Sequence, residues 1–532
     1  MTSIIAAMDE KYGIGRDSMI PWHGTAAGAM DLRYFREKTR GHIVLMGYNT
    51  WLSIGRKPLS GRINLVVSER HYDEVTAHAR GIYGALSMAE IEESHDRYCR
   101  ERNTKPAPLH AFRTLDDAVA YGCRLENMAA EGCYPELTCF IIGGQRIYRE
   151  YLQNYRPSQS YINIIPGEYG CDTFFPHELL PPAGRDTHVS YKYVKAESWP
   201  YADIVEFRHY VTSNPDEECY LANFNLLLQN GSHKRDRTGV GTISYFSPPD
   251  LQFSLLDDVL PVLTTKRVAF KTLAKELLWF ISGSTDSKVL ESQGVNIWRG
   301  NTSRQFLDSR GLTHYPEGEL GPGYGFQWRR CGEVYEPPEP STTPVGAARP
   351  PEPSTTPVGA ARPPARPPVD QLKELIRLLH EDPDSRRMIM TAWNPVDLPK
   401  MALPPCHILL QLWTRMDQEG QRYLSGKLYQ RSADSFLGVP FNISSYALLL
   451  HILARITGMK AERLICTYGD YHIYNNHIEQ VRKQSSRKPR PSPRIKFSER
   501  VQNGFDIDQL TLDDFQLLGY LPHNGIMATM AV

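Results

Sequence analysis

Cys406 lies in the run ALPPCHILLQ (402–411), between Pro405 and His407. Taken alone, such a cysteine is most simply a small buried hydrophobe. Beside a cluster of cations it becomes a candidate thiolate nucleophile. Three other stretches supply cations. HKRDRTGVGT (233–242) carries Arg237 on a Gly-rich loop, DPDSRRMIM (382–390) carries Arg386 and Arg387 after a helical stretch, and LYQRSADSFLGVPFN (428–442) carries Arg431 and Ser432 behind a strand-like run. Each arginine alone reads as a solvated charge. Together they read as a phosphate pocket, because the guanidinium fork matches phosphate bidentately and its positive field lowers a nearby thiol pKa. The chemistry expected is covalent catalysis on an anionic substrate.

A second candidate group lies in the first half of the chain. Asp31 begins the amphipathic stretch DLRYFREKT, where its simplest reading is a helix N-cap. The nearby GIGRDSMIPW (13–22) lacks the GxGxxG spacing of a Rossmann fingerprint and reads better as a flap over a site.

The elements that must position these groups divide into two sets. Short apolar runs at Ile4–Met8, Ile43–Gly47, Ile63–Val67 and Phe140–Gly144 alternate with helix-like stretches, as in the buried strands of an α/β sheet. Residues 90–137 read as a polar, irregular surface insertion. TSNPDEE (212–218) breaks the pattern, so the junction is placed at 211–218, between domains at 1–210 and 219–532. In the second half, KTLAKELLWFISG reads as a helix stopped by Gly283, and SSYALLLHILARITG as one capped by Ser444. PPEPSTTPVGAAR occurs twice in tandem, at 337–349 and 350–362, and PPARPP follows. Residues 337–368 have too little apolar surface to offset ordering entropy and are expected to form a disordered or polyproline-like loop, with an SH3-type ligand as the minor alternative.

Bulk composition excludes several function classes. Sixty basic residues balance 60 acidic ones in 532, so no general nucleic-acid grip is expected. Nine scattered cysteines with no CxxC pair argue against zinc and against a disulfide framework; no metal is expected. Neither a signal-peptide pattern nor an apolar run of membrane-spanning length is visible, and a cytoplasmic location is the default expectation.

The motifs carry a resemblance. From about Cys219 to Val532 the chain resembles thymidylate synthase, through DRTGVGT, PVLTTKR, ELLWFISG, LGPGYGFQWR, DPDSRR, MALPPCH, YQRSADSFLGVPFN, GDYHIYNNH and the terminal MAV, all in order. The resemblance implies an α+β domain that converts dUMP to dTMP with 5,10-methylenetetrahydrofolate as cosubstrate. Cys406 would attack C6 of dUMP. Arg237, Arg431 and Ser432 would hold its phosphate, with Arg386 and Arg387 reaching it from the other subunit of a symmetric homodimer. Asn442 would hydrogen-bond the uracil edge, His472 and Tyr474 would touch the ribose, and His407, Gln430 and Asp434 would complete the dUMP set. Glu276 would shuttle a proton through water with Tyr324 nearby, Trp298 would pack on the folate, and Asp470 belongs to the folate set. Arg299, Gly323 and Tyr468 stand where the family commonly has Asp, Val and Gly.

Residues 2–210 resemble dihydrofolate reductase, through SIIAAMD, GIGRDSMIPW, DLRYF, MGYNTW, SIGRKPLSGRINLVVS, FIIGGQRIY and DTFFP. This implies an α/β domain with a mixed central sheet and flanking helices, and NADPH-dependent reduction of dihydrofolate. Asp31 would be the only ionisable side chain in the pterin pocket, its pKa raised by burial. Phe35 and Ile54 would sandwich the folate, Ile5 would join its wall, and Arg62 would fork onto the glutamate α-carboxylate. Ala7, Ile14 and Ile20 would wall the nicotinamide. Gly47, Asn49, Thr50, Ser68 and Arg146 would line the dinucleotide groove, with backbone N–H groups of Gly143, Gly144 and Gln145 cradling the pyrophosphate at a helix start. The chain departs from the family in a longer Trp22–Asp31 connection, in Asn163 for a usual Thr, and in Tyr48 and Glu69 where basic residues are common. Arg70 and Arg146 are the expected substitutes. The synthase releases dihydrofolate and the reductase consumes it, so one chain would hold consecutive steps of one cycle. The main rival is an active synthase carrying a reductase-like domain that only binds.

Overall fold

A computed structural model describes residues 2–83, 107–133, 136–180, 191–195, 205–338 and 367–530. In the N-terminal half, strands β1 (Ser3–Asp9), β3 (Ile43–Gly47), β4 (Ile63–Val67), β5 (Leu109–Phe112), β6 (Cys139–Gly143), β7 (Gln159–Ile165), β9 (Tyr191–Lys195) and β10 (Glu206–Thr212) form one sheet in the order β5-β4-β3-β6-β1-β7-β10-β9. Neighbours run parallel except β10, which is antiparallel to both β7 and β9. A mixed sheet covered on both faces needs strands apolar on both faces, and β1 supplies them. Ile4, Ala6 and Met8 face the layer that holds the helices Leu115–Ala130 and Gln145–Asn154, and Ile5 faces the layer of Trp22, Ala27 and Tyr34. Strands β2 (Gly13–Gly15) and β8 (Thr173–Phe174) form a separate small antiparallel pair.

The reading of 90–137 as an irregular insertion is overturned for its described part. Leu109–Phe112 is the edge strand and Leu115–Ala130 a helix capped by Thr114. Gly122 hid the helix: a Cβ there would come within 2.9 Å of Cys139 Sγ, so the glycine permits close packing on β6. Residues 84–106, 134 and 135 lie outside the described set.

Strand β10 ends at Thr212 and the next helix, Pro215–Asn230, begins three residues on, capped by Asn214 with Pro in its first turn. In the C-terminal half, β11 (Ser232–Lys234), β12 (Thr242–Phe246), β14 (Ile389–Thr391), β15 (His407–Met416), β16 (Arg422–Asp434) and β17 (Lys460–Tyr474) form a second sheet in the order β11-β12-β17-β16-β15-β14, and β13 (Leu251–Ser254) also pairs with β17. Its central helix, Gly438–Ile456, is long and apolar enough to cross a membrane, but 83% of its most apolar window is buried inside the fold. A helix apolar on all sides belongs in a core. Ser444 does not cap it: the helix starts at Gly438, and Ser444 Oγ donates to the Pro261 and Pro440 carbonyls. The helix Phe270–Ile281 stops before Gly283, whose φ of +72° an L-residue rarely adopts. Cys331 and Val369 exchange backbone hydrogen bonds of 3.0 and 2.9 Å, pinning the stems of the Pro-rich insertion; residues 339–366 lie outside the described set.

Candidate active sites

A cleft of about 1170 Å³ opens across the carboxyl ends of β3, β4 and β6, where ligands bind in open α/β sheets. Ile5, Ala7, Ile14, Ile20, Asp31, Phe35, Gly47, Asn49, Thr50, Ile54, Ser68, Gly143, Gly144, Gln145 and Arg146 all line it. The N-cap reading of Asp31 is corrected here. Thr25 caps the helix Ala26–Thr39, accepting from Gly28 N at 3.0 Å, and Asp31 sits in the second turn with Phe35 one turn further along the same face. The carboxylate is 7% exposed. Burial pushes its pKa up, and a hydrogen bond from Asn163 Nδ2 (2.8 Å) partly offsets the rise. Arg62 is buried behind the cleft, its guanidinium 5.5 Å from the Phe35 ring, and donates to Thr39 Oγ1, Ser60 O and Arg36 O. At the groove's far end a Cβ on Gly47 would come within 2.9 Å of Ile147, and one on Gly143 within 3.0 Å of Thr50 Oγ1. Bare backbone at the start of the helix Gln145–Asn154 fits a dinucleotide pyrophosphate.

The C-terminal half gathers its groups around Cys406, which lies just ahead of β15. Tyr324 Oη accepts from Cys406 N at 2.9 Å, and Cys406 O accepts from Arg431 N at 3.0 Å. The Arg431 side chain grips the same turn, donating to Pro405 O (2.8 Å) and Pro404 O (2.9 Å). Burial pushes the Cys406 thiol above its ordinary pKa, and Arg431 opposes this without reversing it. Arg431 thus acts on the thiol in the expected direction, but desolvation outweighs one partly engaged guanidinium and the net shift is upward.

Behind the turn, His407 is buried, accepting or donating at Nδ1 to Tyr446 Oη (2.7 Å), with its ring 4.4 Å from that of Tyr324. Burial drops its pKa to about 3, so it is a neutral support for Tyr324. Glu276 is 8% exposed, bonded to Trp298 Nε1 at 2.8 Å, and pushed up by burial to about 7. Trp298, expected against the folate, thus also orients the acid. Gln430 Nε2 donates to Asn442 Oδ1 at 2.9 Å. Parallel pairing of β16 with β17 sets Ser432 beside Asp470 and Asp434 beside His472. Asp434 Oδ1 receives the N–H groups of Phe436 and Leu437. Asp470 is engaged by His472 Nδ1 (3.2 Å), Ser244 Oγ (2.6 Å) and Lys234 Nζ (2.9 Å), which hold its carboxyl far below the usual range. Burial raises Tyr474 to about 12, and it feels the charges of Asp434, Asp236, Arg237 and Cys406. Arg237 stands on a loop cinched by Asp236, 5.2 Å from the Phe306 ring. Arg386 and Arg387 are exposed, with no side-chain partner among the described residues.

Family models for dihydrofolate reductase and thymidylate synthase match residues 1–99 and 218–532. A bifunctional dihydrofolate reductase-thymidylate synthase of Paramecium tetraurelia is 34% identical over all of this chain and 98% of its own length, and one of Leishmania major is 34% identical over all of this chain and 95% of its own. The chain belongs to the bifunctional dihydrofolate reductase-thymidylate synthase family. A thymidylate synthase of Agaricus bisporus is 45% identical over 60% of this chain and 99% of its own length. The chain is therefore a two-activity enzyme, with NADPH as cofactor of the reductase and methylenetetrahydrofolate as cosubstrate of the synthase.

The departures from the family pattern find physical reasons. Asn163 places an amide donor on Asp31, as a hydroxyl would. The extra length after Trp22 is taken up by the turn to Thr25. Tyr468 is fully buried beside Tyr471, filling core rather than site. Arg299 pairs with Glu291 on the surface at 3.1 Å. Tyr48 donates to Glu74 at 2.6 Å and stacks on His71 at 3.9 Å, while Arg56 and His71 also hold Glu74. Beside Tyr48 the cleft presents Arg70, His71, Arg113 and Arg146. Arg113 and His71 were missed: Arg113 follows the strand that was read as insertion, and an isolated histidine carries no signal.

Proposed function

We propose that dTMP formation runs through Cys406 and dihydrofolate reduction through Asp31. Cys406 rests as a thiol. The thiol gives its proton to water as its sulfur adds to C6 of dUMP, making C5 nucleophilic; C5 takes the methylene carbon and loses its proton, and the bond from that carbon to the folate nitrogen breaks. Hydride transfer from the folate and expulsion of the sulfur then give dTMP and dihydrofolate. Arg237, Arg431 and Ser432 bind the phosphate, Asn442 and Gln430 read the uracil edge, and His472, held by Asp470, meets the ribose with Tyr474. Glu276, half ionised near neutrality, passes protons, and Tyr324 fixes the nucleophile's turn. The observation that carries this reading is the double grip of Tyr324 and Arg431 on the Cys406 backbone.

In the reductase, bound NADPH supplies the hydride. Asp31 pairs the pterin amidine edge and favours its protonation; Phe35, Ile54 and Ile5 hold the ring system, and Arg62 the glutamate end. Arg70, His71, Arg113 and Arg146 provide the positive charge for the 2′-phosphate. Reductase residues end near Thr212 and synthase residues begin near Pro215, and the enzyme works in the cytosol.

The enzyme is a homodimer through the outward face of β14 and β15. Trp413 and Ile389 are 59% and 43% exposed there, and apolar side chains on one sheet face suit an isologous contact. Arg386 and Arg387, adjoining that face, reach the partner's dUMP. Mixing Arg386→Ala chains with Cys406→Ser chains should restore synthase activity in the heterodimer, since one site then keeps both groups. Heterodimers that form without regaining activity would reject the shared clamp.

A further inference from the structure

At the joint between the two halves, Arg490 is 4% exposed and has no carboxylate partner among the described residues. Its two terminal guanidinium nitrogens donate to Leu521 O (3.0 Å), Pro522 O (3.2 Å), Cys123 Sγ (3.2 Å) and Asn127 Oδ1 (2.6 Å), while Nε is buried without a partner. Asn127 belongs to the reductase helix Leu115–Ala130 and is 5% exposed. Its Nδ2 donates to Pro522 O at 3.1 Å and Asn524 Oδ1 at 3.3 Å. Arg487 binds Asn524 O (2.7 Å) and pairs with Glu131, the residue that caps the C-terminus of that helix (3.2 Å). Leu521 packs on the reductase core, and Gly519 (φ +71°) passes so close that a Cβ would come within 2.8 Å of Asn154 O. The segment Gly519–Asn524, part of the synthase chain, is thus clasped by the reductase.

Beyond this clasp the chain runs to the synthase site. Thr529 O is 2.8 Å from Nε2 of His477, which is fully buried and has its ring 5.8 Å from that of Tyr474. Four residues lie between Asn524 and Thr529, and the five steps span at most about 16–18 Å when extended, so slack at one end is felt at the other. We propose that Asn127 is a positioning residue for the synthase reaction: from the reductase domain it anchors the synthase tail, whose far end sets His477 and, through it, Tyr474. Asn127 accepts from the buried Arg490 at 2.6 Å and donates to the tail at two points, Pro522 O and Asn524 Oδ1, while Cys123 Sγ makes only a longer contact to Pro522 O (4.0 Å). Loss of Asn127 leaves a buried cation short of an acceptor and removes one donor from the Pro522 carbonyl and one from Asn524. The proposal rests on the nucleotide-site assignment of Tyr474.

The test uses the full-length enzyme with Asn127→Ala and Asn127→Asp. The Asp variant keeps an acceptor for Arg490 and loses only the donor to the tail, so it retains the joint if the Ala variant does not fold. The first readout is the rate at which a carboxypeptidase trims the C-terminus, which does not depend on Tyr474. The second is synthase kcat against KM, with reductase kinetics as control. Both variants should be trimmed about fivefold faster or more, and synthase kcat/KM should fall about tenfold, mainly through KM, because saturating substrate drives the tail back into place. Reductase kinetics should stay within about twofold. Unchanged trimming in the Asp variant would overturn the anchor. Equal losses in both activities would overturn it too, by showing that the joint is merely structural. Faster trimming with unchanged synthase kinetics would keep the anchor but refute the link through His477 and Tyr474, and with it the proposed role.

Discussion

The two sites of this chain reach polar chemistry by opposite routes. At its inner end the reductase cleft holds Asp31 beside Ile5, Ala7 and Phe35, where the Asn163 amide donates to it, and the cleft's basic residues Arg70, His71, Arg113 and Arg146 stand apart beside Tyr48. The synthase site is crowded. Cys406, Tyr324, Arg431, Glu276, Trp298 and His407 are linked by hydrogen bonds and ring contacts, and few are free to respond alone. An isolated group owes its reactivity to desolvation, which a single substitution removes. A network owes its reactivity to mutual positioning, so a substitution at one member spreads to the others.

The largest expected effects cut this comparison in half. Cys406→Ser should lower dTMP formation by about four orders of magnitude or more, because no other nucleophile stands in its place. Dihydrofolate reduction by the same protein should be unaffected. Asp31→Asn should do the reverse, lowering reductase kcat at pH 7 by about 10²–10⁴-fold. Separate assays of both activities on each variant decide whether the halves are chemically independent; a loss that crosses between them would contradict the account.

Next in size is Glu276→Gln, for which synthase kcat should fall about 10²–10³-fold. The wild-type pH profile should show a group titrating near 7, because burial raises the Glu276 carboxyl to about 7, protonated below and ionised above. The amide cannot titrate, so that limb should vanish from the variant's profile. Its persistence would assign the ionisation to another group.

Legibility in the sequence followed the same division. The apolar runs at Ile43–Gly47 and Ile63–Val67 match β3 and β4 residue for residue, because strands buried on both faces leave uninterrupted apolar text. The helix Leu115–Ala130 was not legible, since Gly122 and Glu126 interrupt its apolar pattern for tertiary reasons: one allows the approach of β6, the other accepts from Cys139 N at 2.7 Å. The cleft residues of the reductase were readable one by one, as wall or acid. The synthase network was readable only as a set of types. That His407 serves Tyr324, and that Asp470 serves His472, depends on pairing partners far along the chain. The arginine's pull on the Cys406 thiol was legible, but the larger opposing effect of burial was not, because burial cannot be counted from charges alone.

Smaller effects sharpen the contrast. Asn163→Leu removes the larger of the two hydrogen bonds, from Asn163 and Trp22, that favour the ionised form of Asp31, so the reductase's carboxyl pKa should rise further and its activity should fall by about tenfold, within reach of a pH titration of kcat. Asn163→Thr should recover most of that loss; failure to do so would show that the amide does more than donate. The smallest effect is expected from replacing residues 337–368 with a short Gly-Ser link. The Cys331–Val369 pairing already closes the stems, so both turnover rates should stay within about twofold of wild type.

The most direct test of the account is the fate of the Cys406 sulfur. Incubating the enzyme with 5-fluoro-dUMP and methylenetetrahydrofolate, digesting it and weighing the peptides should place the mass of nucleotide plus folate on the peptide that contains Cys406, and none on the Cys406→Ser protein. An unmodified Cys406 peptide, or an adduct on a different cysteine, would contradict the account.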